Sequence, residues 1–288
     1  MTLSQTFTAF TPEIWSPKVN YFFKNKLAAA KFFDDYSSDV ADGGDIVHIP
    51  FIADNFTPTA IATTNGAVTS TNLSDTNKNI NVTNWYGVAY DLTDFQYAQV
   101  LKSYNIKSKY AETMGYSLAK AFDTALLGQG SNITPVVGNS ATNLLSSTIE
   151  KAFGILTSNS VPTSECVFFV HPKTYQQIMG IQKYYDASQF GKPSLPLGVH
   201  DLLYGIPVVI TPQVPNGTAG TEGGYRNLLV HKSTLVYAFG KLPGAMEGGV
   251  RIQEKPSENL KVRFIGDILY GVSYIRATGG IRILDKTR

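Results

Sequence analysis

The sequence is poor in the residues from which most chemistry is built. Its 288 residues include one cysteine and four histidines. A lone cysteine excludes a disulfide within the chain, as expected for folding in a reducing compartment. Cys166 opens the apolar run Val167-Phe168-Phe169-Val170, which predicts a buried thiol and not a nucleophile. His48, His171, His200 and His231 are scattered, with no i,i+4 pair and no cysteine at ligand spacing. Each is expected on a strand face or in a loop, and no metal site is expected. No glycine-rich phosphate loop precedes Lys232-Ser233, and Gly115-Tyr116-Ser117 falls inside a helical stretch where a nucleophile elbow cannot form. No run of about 18 apolar residues is present, so no membrane span is expected. The N-terminus has no basic region followed by an apolar stretch, and no export signal is expected. Enzymatic chemistry therefore finds no positive support, and neither does any cofactor.

Charge is the next scarcity. Only 16% of residues are charged, against about 25% in a typical soluble protein. The chain is 43% hydrophobic and carries 16 Tyr and 16 Phe, enough for a packed core and two small domains. So thinly charged a chain hides its surface in a generous core or against other subunits. The formal net charge of +2 is too small to mark nucleic-acid binding by itself. Its distribution says more. Residues 1–100 carry 5 Lys/Arg against 10 Asp/Glu, whereas residues 101–288 carry 19 against 12. An acidic first part could lie over a basic second part of a neighbour.

Along the chain, residues 1–42 read as an irregular arm with Pro12, Pro17, Trp15, Tyr21, Phe22 and Phe23, plus a short helical stretch near 24–33. Asp42-Gly43-Gly44 breaks it, and Asp45–Ile52 has the β-branched content of a strand. Of the 27 residues in 53–79, 14 are Thr, Asn or Ser, too long a polar excursion for an ordinary loop. Ile80–Leu92 returns as a second extended segment, so the two strands predict a β-hairpin arm with a polar tip. Such a hairpin is marginal in water and needs a surface to lean on. The tip offers few apolar anchors, chiefly Phe56, Ile61, Val68 and Leu73. With Lys78 and, from the arm, Trp15, these are the candidate subunit-contact residues.

After Leu92 the period changes. Ile106, Tyr110, Met114, Leu118, Phe122 and Leu126 recur every four residues and predict one long helix with a single apolar stripe, ended by Gly128. A helix at 147–158, a strand at 166–170, a helix at 172–181 and strands at 206–211 and 227–231 then describe a compact α+β or α/β lobe. The Gly-rich run 217–224 reads as a loop. From Leu260, residues Val262, Phe264, Gly266, Ile268, Tyr270, Val272 and Tyr274 alternate with their neighbours, a long strand with one apolar face. It follows Val250–Lys255 as the second arm of a hairpin. Its apolar face is expected to receive the helix stripe.

This α+β order resembles the Hong Kong 97-type major capsid proteins of tailed double-stranded DNA bacteriophages, a fold shared by encapsulins. The phrases that carry the resemblance are Phe10-Thr11-Pro12-Glu13-Ile14-Trp15, Gly44-Asp45-Ile46-Val47-His48-Ile49-Pro50, Leu118-Ala119-Lys120-Ala121-Phe122-Asp123, Val170-His171-Pro172-Lys173-Thr174-Tyr175 and Gly205-Ile206-Pro207-Val208-Val209. The resemblance implies that residues 1–40 are an N-terminal arm and 41–92 an extended loop with its root strands. Residues 93–128 would be a spine helix of a peripheral domain, 129–240 an axial domain, and 241–288 peripheral strands and a C-terminal tail. It implies self-assembly into the pentamers and hexamers of an icosahedral virion shell, built in the host cytoplasm around DNA held non-specifically. A separate scaffolding protein, a portal and a decoration protein are possible partners, since no scaffolding domain precedes the arm. The alternative is an encapsulin-like shell around a cargo enzyme, which the Thr/Pro/aromatic-rich N-terminus disfavours.

Overall fold

The computed structural model describes residues 29–40, 44–52, 58, 60–61, 66, 75–95, 106–181, 202–217, 224–243, 250–257 and 260–286. Within these the strands are β1 (Asp34–Asp35), β2 (Ile46–Ile52), β3 (Asp75–Asn81), β4 (Asn84–Thr93), β5 (Val136–Gly138), β6 (Cys166–Val170) and β7 (Leu202–Leu203). They continue with β8 (Ile206–Ile210), β9 (Asn216–Gly217), β10 (Gly224–His231), β11 (Leu235–Phe239), β12 (Val250–Ser257), β13 (Lys261–Tyr274) and β14 (Gly280–Asp285). The helices are α1 (Ile106–Gly128), α2 (Ser146–Ser158) and α3 (Pro172–Met179).

The strands divide into three sheets. β13 organises the first, pairing antiparallel with β4, β11 and β12, while β1 joins β11 in parallel. The second runs β5-β14-β10-β6-β8-β7, with β9 added to β10. The third is the two-stranded hairpin of β2 and β3.

The helix stripe folds onto β13 for a simple geometric reason. Every fourth residue of α1 returns to one slanting line, and that line meets the apolar face of a strand with period two. Met114, Leu118, Phe122 and Leu126 are buried there. The approach is close because Gly266 lies beneath the helix. A Cβ at Gly266 would stand 3.0 Å from Met114 Cε and 3.4 Å from Leu118 Cδ1. Phe122 meets Tyr270 and Tyr237 edge-on, with ring centroids 5.2 Å and 5.3 Å apart. Tyr110 is half exposed and leans on Tyr90 of β4 at 5.1 Å. Ile106 opens the helix, and its side chain lies outside the described residues.

The second sheet buries its own core. All five residues of β6 are buried: Cys166, Phe168 and Val170 pack with Ile149, Ala152 and Leu156 of α2 and Tyr175 and Ile178 of α3, while Val167 and Phe169 face the cluster that holds Leu126 and Leu127 of α1. Helix α3 starts where the sequence allows it: Pro172 occupies its first turn, and His171 Nδ1 accepts a hydrogen bond from Lys173 N–H at 3.2 Å. One carboxylate ties the sheet to this helix. Buried Asp285 on β14 accepts from Thr174 Oγ1 (2.6 Å), Gln177 Nε2 (3.3 Å) and Asn227 Nδ2 (3.3 Å). Desolvation outweighs these donors and raises its pKa above the ordinary carboxylate range.

Two sequence expectations change. The hairpin partner of β2 is not Ile80–Leu92. β2 pairs residue for residue with β3, from Ile46↔Asn81 to Ile52↔Asp75, so the excursion narrows to 53–74. The polar stretch Asp75–Asn79 is strand, and the side chains of Asn77 and Asn79 reach across the ladder to His48. His48 Nδ1 lies 2.8 Å from Asn79 Oδ1, and Asn77 Nδ2 lies 3.5 Å from the same nitrogen. The chain then turns at Val82-Thr83, where Val82 N–H donates to Asp45 C=O at 2.7 Å, and β4 leaves to pair with β13 over ten residues.

The second change concerns the boundary expected at 240. β11 lies in the β13 sheet, while β14, expected as peripheral strand or tail, sits between β5 and β10 in the other. Buried Thr234 makes the exchange possible. Its hydroxyl donates to Gly279 C=O at 2.8 Å, fastening the turn after β10 to the turn before β14. The two core clusters therefore share a double crossing of the chain near 231–235 and 275–280. Of the expected loop at 217–224, residues 218–223 lie outside the described residues.

Candidate subunit-contact surfaces

The root hairpin β2–β3 is fastened across β13 by a small core of its own. Val47, Ile80 and Val82 pack with Val40 and with Val236 and Ala238 of β11. Gly271 of β13 lets the hairpin cross closely, since a Cβ there would stand 2.5 Å from Asn81 C=O. Lys78, a candidate contact residue, sits on this root, its Nζ 4.9 Å above the Tyr274 ring. That cation–π contact fixes the lysine within its own subunit. Ile61 is 57% exposed. Trp15, Phe56, Val68 and Leu73 lie outside the described residues.

The outer face of the β13 sheet is laced by ion pairs that no single segment of sequence announces. Asp267 is buried and receives Arg251 Nε (2.9 Å) and Nη2 (2.5 Å) from β12 and Trp85 Nε1–H (3.0 Å) from β4. The Arg251 hydrogen bonds, aided by Trp85, hold the Asp267 carboxyl below its usual range. Next along the sheet, Arg263 on β13 forks onto Asp91 of β4 at 2.6 Å and 2.8 Å, and Asp91 is lowered in turn. Bidentate pairing locks three strands in register. Arg251 and Asp267 are register partners, as are Arg263 and Asp91. Only the pairing pattern could have revealed them, because Trp85 and Asp267 are 182 residues apart.

Around this frame, large apolar side chains stand in solvent. Trp85, Tyr86 and Val88 on β4 are exposed, as are Phe95 just beyond it, Ile252 on β12 and Leu260 at the turn into β13. Leu260 is also held at φ +52°, a strained conformation for a bulky residue. They lie on both faces of the sheet, Trp85 on the Asp267 side and Tyr86 beside α1, and exposed apolar side chains of this size are candidates for subunit contact.

Among the described residues, no group of three or more His, Cys, Asp or Glu could hold a metal ion. Cys166 is buried, its Sγ directed at Pro162 C=O (3.1 Å), and burial pushes its pKa up to about 11, far from thiolate chemistry. His231 Nδ1 lies 2.9 Å from Ser233 Oγ and accepts from the Ser233 N–H, closing the turn that carries the chain between sheets. Glu165 beside it is held by Lys232 at 3.0 Å. No helix among the described residues is long and apolar enough to cross a membrane.

No family model matches this sequence, and none of the curated proteins compared with it does. Solved structures match over nearly the whole chain. A structure of Mycobacterium phage Che8 superposes with a TM-score of 0.77 at 18% identity, covering 96% of this chain and 98% of that one. The capsid of cyanophage P-SCSP1u gives 0.75 at 14% identity, covering 97% and 94%. The SrpI encapsulin complex from Synechococcus elongatus PCC 7942 gives 0.68 at 9% identity, covering 96% and 92%. The chain has the α+β fold of Hong Kong 97-type capsid proteins.

Proposed function

We propose that this chain is the major capsid protein of a tailed double-stranded DNA bacteriophage. On this reading it assembles with itself into pentamers and hexamers of an icosahedral virion shell and has no enzymatic role. The observation that carries it is the correspondence of 97% of the chain to 94% of a chain in the capsid of cyanophage P-SCSP1u. The β13 sheet and α1 would form the peripheral domain and the β10 sheet the axial domain. Supporting it are the exposed aromatic surface of β4 and a charge split that lets the acidic first hundred residues of one subunit lie over the basic remainder of the next.

In this assembly the tip at 53–74 crosses a neighbouring subunit, with Phe56, Ile61, Val68 and Leu73 as its apolar anchors. Trp15 supplies a further contact from the arm, and Lys78 steadies the root. Packaged DNA is contacted non-specifically, and a scaffolding protein, a portal and a decoration protein are the further partners of such a shell, assembled in the host cytoplasm. The encapsulin-like alternative rests on the same fold at a lower TM-score. Sedimentation velocity of the purified protein at near-physiological salt, with scaffold supplied, should show capsomers and shells. A stable, monodisperse monomer that turns over a small molecule would sink the proposal.

A further inference from the structure

The pairing of β13 shows which edge of its sheet is open. Ile268 pairs with Val250 of β12 and with Tyr86 of β4; Tyr270 pairs with Phe239 of β11 and with Asn84 of β4. A strand has two flanks, so β11 and β12 are two pieces of one interrupted strand and β4 holds the other flank alone. Gly240 N–H, donating to Leu269 C=O at 2.9 Å, continues the interrupted ladder.

β4 has no second partner among the described strands. Asp94 N–H donates to Leu260 C=O at 3.0 Å. Backbone direction alternates along a strand, so the N–H and C=O groups of Trp85, Gly87 and Ala89 point away from the sheet. Trp85 through Ala89 are all exposed.

Edge strands are ordinarily protected by lysine, proline or inward charge. β12 obeys this rule with Arg251, Glu254, Lys255 and Pro256. β4 carries neither lysine nor proline, and its one charge, Asp91, is already matched by Arg263. Beside the open edge runs a groove floored by the stacked rings of Tyr86 and Tyr270, 5.9 Å apart, and walled by Lys120, Ala121 and Ala125 of α1.

We propose that the outer edge of β4 is completed by an extended segment of a second copy of this chain, adding a strand to the β13 sheet. Its backbone pairs with Trp85, Gly87 and Ala89, and its alternate side chains enter the tyrosine-floored groove. A second copy fits because its first hundred residues carry 10 Asp/Glu against 5 Lys/Arg, opposite in sign to Lys120 at the groove wall. The inference rests on the shell reading and is more specific than it.

Amide hydrogen exchange of full-length protein, assembled and unassembled, tests it. The peptide covering 84–90 should exchange at least about tenfold more slowly in particles. Gly87→Lys is the matching variant, because a Cβ there meets only ordinary contacts at 3.6 Å and 3.8 Å. It should keep the circular dichroism of the parent and lower particle yield by about tenfold or more, as an edge lysine opposes strand addition. Particles whose 84–90 amides exchange as fast as in the free subunit, or a folded Gly87→Lys that assembles normally, would overturn the inference and leave the shell reading standing. A parent protein that forms no particles would remove both.

Discussion

Replacing Phe122 by alanine probes the contact that joins the long helix to its sheet. Phe122 is 4% exposed, and its ring meets Tyr237, Phe239 and Tyr270 at centroid distances of 5.3, 4.8 and 5.2 Å. Truncation removes a buried ring and leaves a cavity walled by three aromatic side chains that β11 and β13 hold in place. Burial and cavity terms for Phe→Ala sum to about 3–5 kcal/mol. The walls are pinned by two strands and cannot collapse, which places the loss in the upper half of that range. Against a total stability of about 5–15 kcal/mol this is severe. Tyr110→Ala, on the same stripe, is the internal control. Tyr110 is half exposed, and its ring contact with Tyr90 is worth about 0.5–1.5 kcal/mol. Urea unfolding of the unassembled subunit, followed by near-ultraviolet circular dichroism, should place the midpoint of Phe122→Ala far below that of Tyr110→Ala. Equal midpoints, or a loss under about 1 kcal/mol for Phe122→Ala, would refute the helix-on-strand core.

Four further outcomes follow from the described packing. The raised pKa of Asp285 means the folded state holds that proton more tightly than the unfolded chain. Its contribution is therefore complete below pH 3.8 and is lost as pH rises through the folded value. Asp285→Asn, which keeps an oxygen for Thr174, should flatten this decline in a urea series across pH; an unchanged slope would contradict it. Gly271→Val should destabilise by about 1–3 kcal/mol, because its side chain would strike Asn81 C=O at 2.5 Å. Gly115→Ala, in open space on α1, should stabilise by about 0.5–1 kcal/mol, and thermal melts giving both the same sign would be inconsistent with the described packing. Replacing 53–74 by a two-residue Asn-Gly turn should leave the β2–β3 root and far-ultraviolet circular dichroism intact while abolishing stable shells in electron micrographs. Normal shells from that protein would refute the crossing of the tip onto a neighbour.

The parts of this fold that were legible in the sequence are those governed by local periodicity. The fourfold spacing from Tyr110 to Leu126 marks α1, the alternation from Val262 to Tyr274 marks β13, and Pro172 marks the start of α3. What pairs with what was much less legible. Leu235–Phe239 is a short buried apolar run that fits either sheet, and its ladder with β13, from Leu235↔Tyr274 to Phe239↔Tyr270, is what assigns it. Gly280–Asp285 carries no alternation, since all six residues are buried on both faces. Asp75–Asn79 hid as loop because a solvated ladder has no apolar side to display. Of the candidate contact residues, Lys78 had a signal in its strand neighbours Ile80 and Val82 that would have placed it at the root. The Trp85–Asp267–Arg251 cluster depends on three strands from distant parts of the chain, so residue type and spacing could not reveal it.

Shell formation itself is tested most directly by imaging the full-length protein, assembled with scaffold where needed, by electron cryomicroscopy and reconstructing the particles. The expected result is a closed icosahedral shell of pentamers and hexamers, with the β13 sheet of each subunit against its neighbours. A protein that stays monomeric under those conditions, or closes only into a small ring with β4 facing solvent, would contradict it.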